Sequence, residues 1–448
     1  MATPNQVMFS NNPVEGTSAE SELVIFRSEL SEYNPDSNKF VRINLPVADK
    51  AWIDWSDTVL SLKLTNRTFH SSSASASNSA ISTQLNNLIK SVSILNSQGE
   101  QIEYINNYNL ISAIMDDYSY GAEHKGSVEQ ILSGGSPDGN PANASATTIN
   151  GVASGTSQAD GSSLTLCDRL MTGFTSGQFL LPLGYLVGQA CAIVLELEDP
   201  TVACKVENNS GMSTHYKVSN IQLRAKQIRF NAMFNESFEK TLAEAGSVGV
   251  NYISETYLHN QSSIPANTGS GVFNVPFSTN PRSAKYILAC GRKETEIADS
   301  SKYSLETRSS LNLTAYSWEI SGKLYPTQPI EVSDTNVSQA YANVLDCLGQ
   351  IGAINHNTLV SYAGTNTKFY DATITTAQKF VAGLVLEDFN SATNPSVYSG
   401  MNLTTVGQMA WRPNIGSSFG ASAYRVDFFT SCDLSIHFTI DGRMYSVK

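Results

Sequence analysis

Between Ser91 and Gly121 the chain changes its hydrophobic period. Val92 and Ile94 alternate with Ser91 and Ser93, the two-residue period of a half-buried strand, and Ile102 and Tyr104 resume it beyond Gln98-Gly99. A glycine there tolerates the positive φ of a tight hairpin turn. From Tyr108 the apolar positions fall at three- and four-residue spacing through Ile111, Ala113, Ile114 and Tyr118, with Asn106 and Asn107 as candidate caps and Gly121 as the stop. The pattern predicts strand, turn, strand, helix. The same order recurs from Ala315 to Gly352: Tyr316, Trp318 and Ile320 alternate, Gly322 turns, Leu324-Tyr325 returns, and Asn336 or Ser338 opens a helix carrying Tyr341, Val344, Leu345 and Leu348. Gly99 and Gly322 lie 223 residues apart, one short of half the 448-residue chain. The reading is a duplicated unit, one copy per half.

The rest of the chain fits two β-rich halves. Leu23 to Leu30 and Phe40 to Val47 read as strands around an Asn34-Pro35-Asp36 turn, and Leu60, Leu62 and Leu64 line one face of another. Leu164 to Leu170, Phe179 to Val187 and Ala190 to Glu198 continue the series. Tyr216 to Phe230 changes phase near Lys226-Gln227, which predicts a bulge or a change of sheet. Asn235 to Gly246 reads as a short connecting helix at the domain boundary. Val250 to Leu258, Tyr286 to Cys290, Phe380 to Leu386, Tyr424 to Phe429 and Leu434 to Ile440 supply strands to the second half, the last two joined by Ser431-Cys432-Asp433. Residues 1–20 are polar and small and read as an N-terminal arm; His70 to Ala80 reads as a flexible loop, Ser133 to Ser163 as a long surface loop with almost nothing to bury, and Asn355 to Thr376 as a polar loop.

Composition narrows the class. Charged residues make up 15% of the chain, well below the roughly 25% of ordinary soluble domains, so its outer faces are neutral or covered by neighbours. A net charge of −12 argues against coating nucleic acid through the folded surface, since phosphate binding draws on Lys and Arg. The six cysteines, at 167, 191, 204, 290, 347 and 432, form no CxxC pair and no disulfide ladder, so they are expected reduced. No apolar run approaches the length of a membrane span, and the start lacks the order of a signal peptide, so the chain is expected to be made and kept inside a cell.

Candidate chemistry is sparse. The histidines, at 70, 124, 215, 259, 356 and 437, are scattered without ligand spacing, and no phosphate-cradling glycine loop is present; Gly269-Ser-Gly271 sits between strands as a hairpin turn. Asp116-Asp117 and Glu196, Glu198 and Asp199 read as solvated charge at helix and strand ends rather than paired acids or cation ligands. Arg224, Lys226 and Arg229 read as a solvated or interface face rather than a nucleic-acid stripe. No catalytic, cofactor-binding or metal-ligating residue is assigned, no cofactor is expected, and the chain is read as a non-enzyme.

The ordered set DTVLSLKLTNRTF, QLNNLIKSVSILNSQGEQIEYINNYNLISAIMDDYSYG, YKVSNIQLRAKQIRFN, KYILACGR, YSWEISGKLYPTQPIEV and YRVDFFTSCDLSIHFTIDGRMYSV resembles the double jelly-roll major capsid proteins of polinton-like viruses, virophages and adintoviruses. The resemblance runs from about residue 20 to the C-terminus and excludes the loops. It implies an all-β fold of two eight-stranded antiparallel sandwiches with short helices in loops: an arm over 1–20, a first jelly roll over 21–232 and a second over 233–448. It further implies homotrimers acting as pseudo-hexameric capsomers of an icosahedral virion shell. That shell would enclose double-stranded DNA without reading its sequence, with neighbouring capsomers, penton and minor capsid proteins as partners. The loops 133–163 and 355–376 would form the outward crown. The competing readings are a tandem β-sandwich binding module, lectin- or adhesin-like, a β-sandwich hydrolase, and a minor capsid protein.

Overall fold

The computed structural model describes residues 19–70, 81–134, 149, 159–175, 179–187, 191–206, 212–246, 249–350, 358–363, 367–372, 378–387, 399–417 and 422–448. Eight principal strands come from the first half: β1 (Ala19–Arg27), β2 (Phe40–Leu45), β3 (Trp52–Asn66), β4 (Ile89–Leu95), β5 (Gln101–Asn106), β6 (Ser163–Asp168), β7 (Cys191–Leu197) and β8 (Tyr216–Phe230). Eight more follow: β9 (Val250–Ile264), β10 (Val275–Phe277), β11 (Ala284–Lys293), β12 (Leu313–Ile320), β13 (Lys323–Glu331), β14 (Ala382–Val385), β15 (Met409–Ile415) and β16 (Tyr424–Phe438). Helix α1 (Tyr108–Ser119) follows β5, α2 (Ala232–Ala245) links the halves, and α3 (Ser338–Cys347) follows the β12–β13 hairpin.

The strand order repeats. In the first half one sheet runs β1-β8-β3 with β6 on the far edge of β3, and the facing sheet runs β2-β7-β4-β5. In the second half the orders are β9-β16-β11-β14 and β10-β15-β12-β13. Adding eight to every label carries one sandwich onto the other. All these ladders are antiparallel, as the two-residue alternation requires when one face packs inward and the other does not. The two predicted hairpins sit at equivalent places: Gly99 turns β4 into β5 at φ 85°, and Ser321-Gly322 turns β12 into β13 at φ 50° and 76°. Positive φ at both central residues gives the turn a twist that matches its flanking strands.

One continuous apolar core runs through both sandwiches. Leu60, Leu62 and Leu64 of β3 are all buried, as their spacing predicts. In the second sandwich Trp318 lies 5.9 Å from Phe277, 6.2 Å from Phe428 and 6.3 Å from Trp411, ring centre to ring centre. Helix α2 closes the first sandwich by packing Phe234 and Phe238 on Trp52, at 5.8 and 4.5 Å. A fully buried ring such as Trp318 contributes on the order of 1.5–3 kcal/mol by leaving water, and the half-buried Phe234 and Phe238 less.

Tyr216 to Phe230 is one strand with the bulge expected near Lys226, its ladder to β3 shifting between Arg224 and Lys226, although its inner face has already changed phase at Asn220 (φ 50°). Gln227, not Ile228, is the buried residue there. Other elements differ from expectation. Tyr424 to Phe438 is likewise one strand, and the place read as a connection, Ser431-Cys432, is where its partner β11 shifts register. Helix α2 begins three residues early because Asn231 caps it, its Oδ1 accepting from Phe234 N at 2.9 Å. Phe179 to Val187 holds only the two-residue strand Leu180–Leu181 and a 3-10 turn, Leu183–Tyr185. Ile149, inside a stretch read as having nothing to bury, is buried and pairs with Ile81. Leu359, Phe369 and Tyr370, in the other polar loop, are also buried. Residues 1–18, 71–80, most of 133–163 and parts of 355–376 lie outside the described residues.

Candidate functional site

The unit β4–β5–α1 forms one side of the seam between the two sandwiches. Strand β5 ends its own sheet; Ile102, Glu103 and Ile105 are buried, Glu103 standing opposite the buried Ile94 of β4, while Tyr104 is 38% exposed. The Glu103 carboxylate accepts from Gly173 N (2.8 Å), Phe174 N (3.0 Å) and, across the seam, Thr256 Oγ1 of β9 (2.6 Å). Burial pushes this carboxyl up, and the three donors oppose the shift.

Asn107 stands in left-handed geometry, φ 49°, just before α1. Its side chain does not cap the helix. Nδ2 instead lies 2.9 Å from His259 Nε2 and 3.4 Å from Asp427 Oδ1, both in the second sandwich. Asp427 also accepts from Arg292 at 2.9 and 3.1 Å, from Arg425 Nε at 3.0 Å and lies 3.0 Å from His259 Nε2. Burial alone would raise this carboxyl; Arg292, the His259 contact and Arg425 outweigh it and hold Asp427 well below the carboxylate range.

The third crossing is ionic. Asp117, near the end of α1, meets Arg308 at 2.5 Å, Lys379 at 3.1 Å and Lys125 at 3.3 Å, and all four side chains are wholly buried. Lys379 also reaches Glu306 at 2.8 Å. Burial again favours the neutral acid, but Lys379, Lys125 and Arg308 together hold Asp117 below its usual range. The neighbouring helix end keeps acids in the opposite state. Burial, then repulsion from Glu129, raises Asp116; burial raises Glu129 against the opposing pull of Lys125 and His124; and burial pushes Asp168 up to about 7. Buried ion pairs offset their own desolvation only when every member is satisfied, so this cluster specifies how the halves meet more than it stabilises them.

The two classes of acid give opposite slopes with pH. Asp117 and Asp427, depressed in the folded state, contribute stability that is lost as pH falls below about 4. Asp168, raised, contributes stability that is lost as pH rises from about 4 through 7. Stability should therefore peak in mildly acidic solution. Asp168→Asn, whose single carbonyl oxygen keeps the acceptor for Arg169 N and gives up the one for Asn86 Nδ2, should flatten the decline between pH 5 and 8. Urea midpoints at the two pH values check this; an unchanged slope in the variant would refute it.

Several residues singled out in the sequence play other parts. Asp117 is not solvated charge but the centre of the seam, because the second sandwich covers the face of α1 that a lone helix would expose. Glu196 sits among Lys39, Lys90 and Ser91, and Glu198 is buried, accepting from Asn109 Nδ2 at 2.7 Å; Asp199 caps the short helix Pro200–Ala203. His259 belongs to the seam, His215 lies 2.8 Å from Asp36, His124 stacks on Tyr120 and His437 on Tyr445. His356 lies outside the described residues. The six cysteines are unpaired; burial pushes the Cys191, Cys290 and Cys432 thiols up to about 12. Arg308 and Lys379 were invisible in the sequence, where neither lies in a motif: Arg308 stands two residues after Glu306, and Lys379 stands alone in a neutral stretch. Among the described residues no group of three or more His, Cys, Asp or Glu is placed to hold a metal ion.

No protein-family model and no curated protein matches this chain. Solved structures do. A quasi-atomic model of the PBCV-1 virus capsid aligns over 98% of this chain and 99% of its own at TM-score 0.59 and 11% identity. The Faustovirus major capsid protein aligns over 98% and 92% at TM-score 0.57 and 9% identity. The chain has the double jelly-roll fold. PBCV-1 VP54, fitted into a cryo-EM reconstruction of the virophage Sputnik, aligns over 98% and 99% at TM-score 0.56 and 10% identity. At these identities the likeness is one of fold. The double jelly roll accounts for the repeated strand order, with β1–β8 forming one roll and β9–β16 the other, and its seam is built by the hairpin and helix that follow β4.

Proposed function

We propose that this chain is a viral major capsid protein, whose homotrimers are the pseudo-hexameric capsomers of an icosahedral shell around double-stranded DNA. In this reading the rolls span 21–232 and 233–448, the 1–20 arm reaches toward neighbours or the interior, and penton and minor capsid proteins complete the shell. The observation that carries it is the strand order used twice, in two rolls locked side by side by buried polar crossings. Such a chain presents two similar lateral faces, so three copies offer six, and three-fold symmetry meets six-fold packing. The buried seam supports a fixed angle between the rolls, which a tile needs and a flexible tandem binding module does not. Obligate interfaces exceed roughly 2,000 Å², so no long-lived monomer is expected.

Light scattering on a size-exclusion column tests this directly. A mass near three times 48.4 kDa, or larger closed particles, is the expected result. A folded monomer that persists at every concentration would overturn it.

A further inference from the structure

The two rolls use equivalent faces differently. In the second roll, β5 of the first roll and Asn107, just before α1, meet the sheet β9-β16-β11-β14, where Thr256 and Asp427 are fully buried, and α1 itself meets Arg308, Lys379 and Tyr341 beside it. In the first roll the corresponding face, on β1-β8-β3-β6, has no such cover among the described residues. Leu23 and Ile25 on β1 are 60% and 48% exposed, and stand opposite Lys226 and Arg224 of β8. Arg27 and Lys63 share this face by strand alternation. Arg27, Lys63 and Arg224 are exposed, and none of the four cations has an ion-pair partner among the described residues; Asp54 stands opposite Lys226 in register. Four cations grouped on one face of a chain with net charge −12 mark that face for a carboxylate-bearing partner.

The second roll carries the complement. Its β13, at the end of a sheet, is the counterpart of β5, and α3 is the counterpart of α1. Pro326 and Pro329 remove backbone donors from β13, so this edge is suited to side-chain contact rather than strand addition. Leu324 is exposed there, and the exposed carboxylates of Glu331 and Asp346 have no ion-pair partner among the described residues. The polarity matches the seam within the chain. The ion pairs that cross that seam place the carboxylate, Asp117, on the hairpin-helix side and the cations, Arg308 and Lys379, on the receiving roll.

We propose that β13 and α3 of one copy seat on β1 and the outer face of β1-β8-β3 of the next, repeating between chains the joint that β5 and α1 make within the chain. Leu324 meets the Leu23–Ile25 patch, and Glu331 and Asp346 meet Lys63, Arg224 and Lys226. This rests on the trimer reading above and names its interface. The joint is head-to-tail, and three copies close it into a ring of six rolls.

The test compares four chains by light scattering at low salt: wild type, Lys63→Glu/Arg224→Glu, Glu331→Lys/Asp346→Lys, and all four changes together. Each two-site reversal should weaken self-association at least about 100-fold, because like charges then face each other across the joint. The four-site chain, with the polarity inverted on both sides, should recover to within about tenfold of wild type. Circular dichroism of each chain separates dissociation from misfolding. Carbodiimide coupling of isotope-mixed wild type should join Lys63 or Lys226 to Glu331 or Asp346 of a different copy, whether or not the variants fold. Trimers that survive both reversals, or couplings that place these residues against other partners, would overturn the joint and leave the trimer standing. A monomeric wild type would overturn the trimer itself.

Discussion

Asp117→Asn is expected to cost about 3–5 kcal/mol of stability, the typical penalty for removing one partner of a buried ion pair. Asparagine preserves the shape but leaves Arg308, Lys379 and Lys125 around a neutral amide, with Glu306 the remaining carboxylate in contact with the group. Urea unfolding of the purified chain measures the loss; a change below about 1 kcal/mol would show that water or another acid compensates the cations. Lys125→Met provides the contrast. With two carboxylates facing three cations, removing one cation leaves the numbers even and spares one desolvation, so it should cost much less than Asp117→Asn. If the two variants were equally damaging, the group would be acting through packing rather than charge.

Trp318→Ala should also remove about 3–5 kcal/mol, since a large ring is deleted where neighbours cannot fully collapse into the space. Trp318 is fully buried between Phe277, Trp411 and Phe428, deep in the second roll. Its value lies in where the loss is felt. The core is continuous across the seam, so Trp52 and Trp55 of the first roll should report the same lowered midpoint as far-ultraviolet circular dichroism of the whole chain. Two separate transitions, with the first-roll tryptophan signal unmoved, would mean that the rolls fold independently and that the seam contributes little.

How much of this was legible in the sequence depended on whether one face of an element met water. The leucines of β3 and the two hairpins with their helices could be read because alternation and turn glycines report a half-buried strand directly. Tyr424–Phe438 could not be read as one strand because it is buried on both faces for most of its length, so Thr430, Ser431 and Asp433 look like a loop until their partners are in place. Asp117 failed for the same reason. An acid pair near a helix end ordinarily points to solvent, and nothing local announces that Arg308 and Lys379, some 190 and 260 residues later, will surround it. The carboxylate of Glu103 was hidden because the alternation was read on Ile102 and Tyr104, whereas the ladder sets Glu103 opposite the buried Ile94 and leaves Tyr104 exposed.

Local patterning along the chain is enough for two β-rich halves built on one repeated strand-turn-strand-helix unit, because periodicity, turn glycines and caps are properties of neighbouring residues. Tertiary packing settles that the first copy of that unit becomes the seam, while the second buries Ile330, Ala340 and Val344 but leaves Leu324 and Glu331 of β13 exposed. Covering a face changes which side chains are stable there, and that depends on charges brought together from distant parts of the chain. A lone Asp117 favours water; among Arg308, Lys379 and Lys125 it holds the two rolls in register.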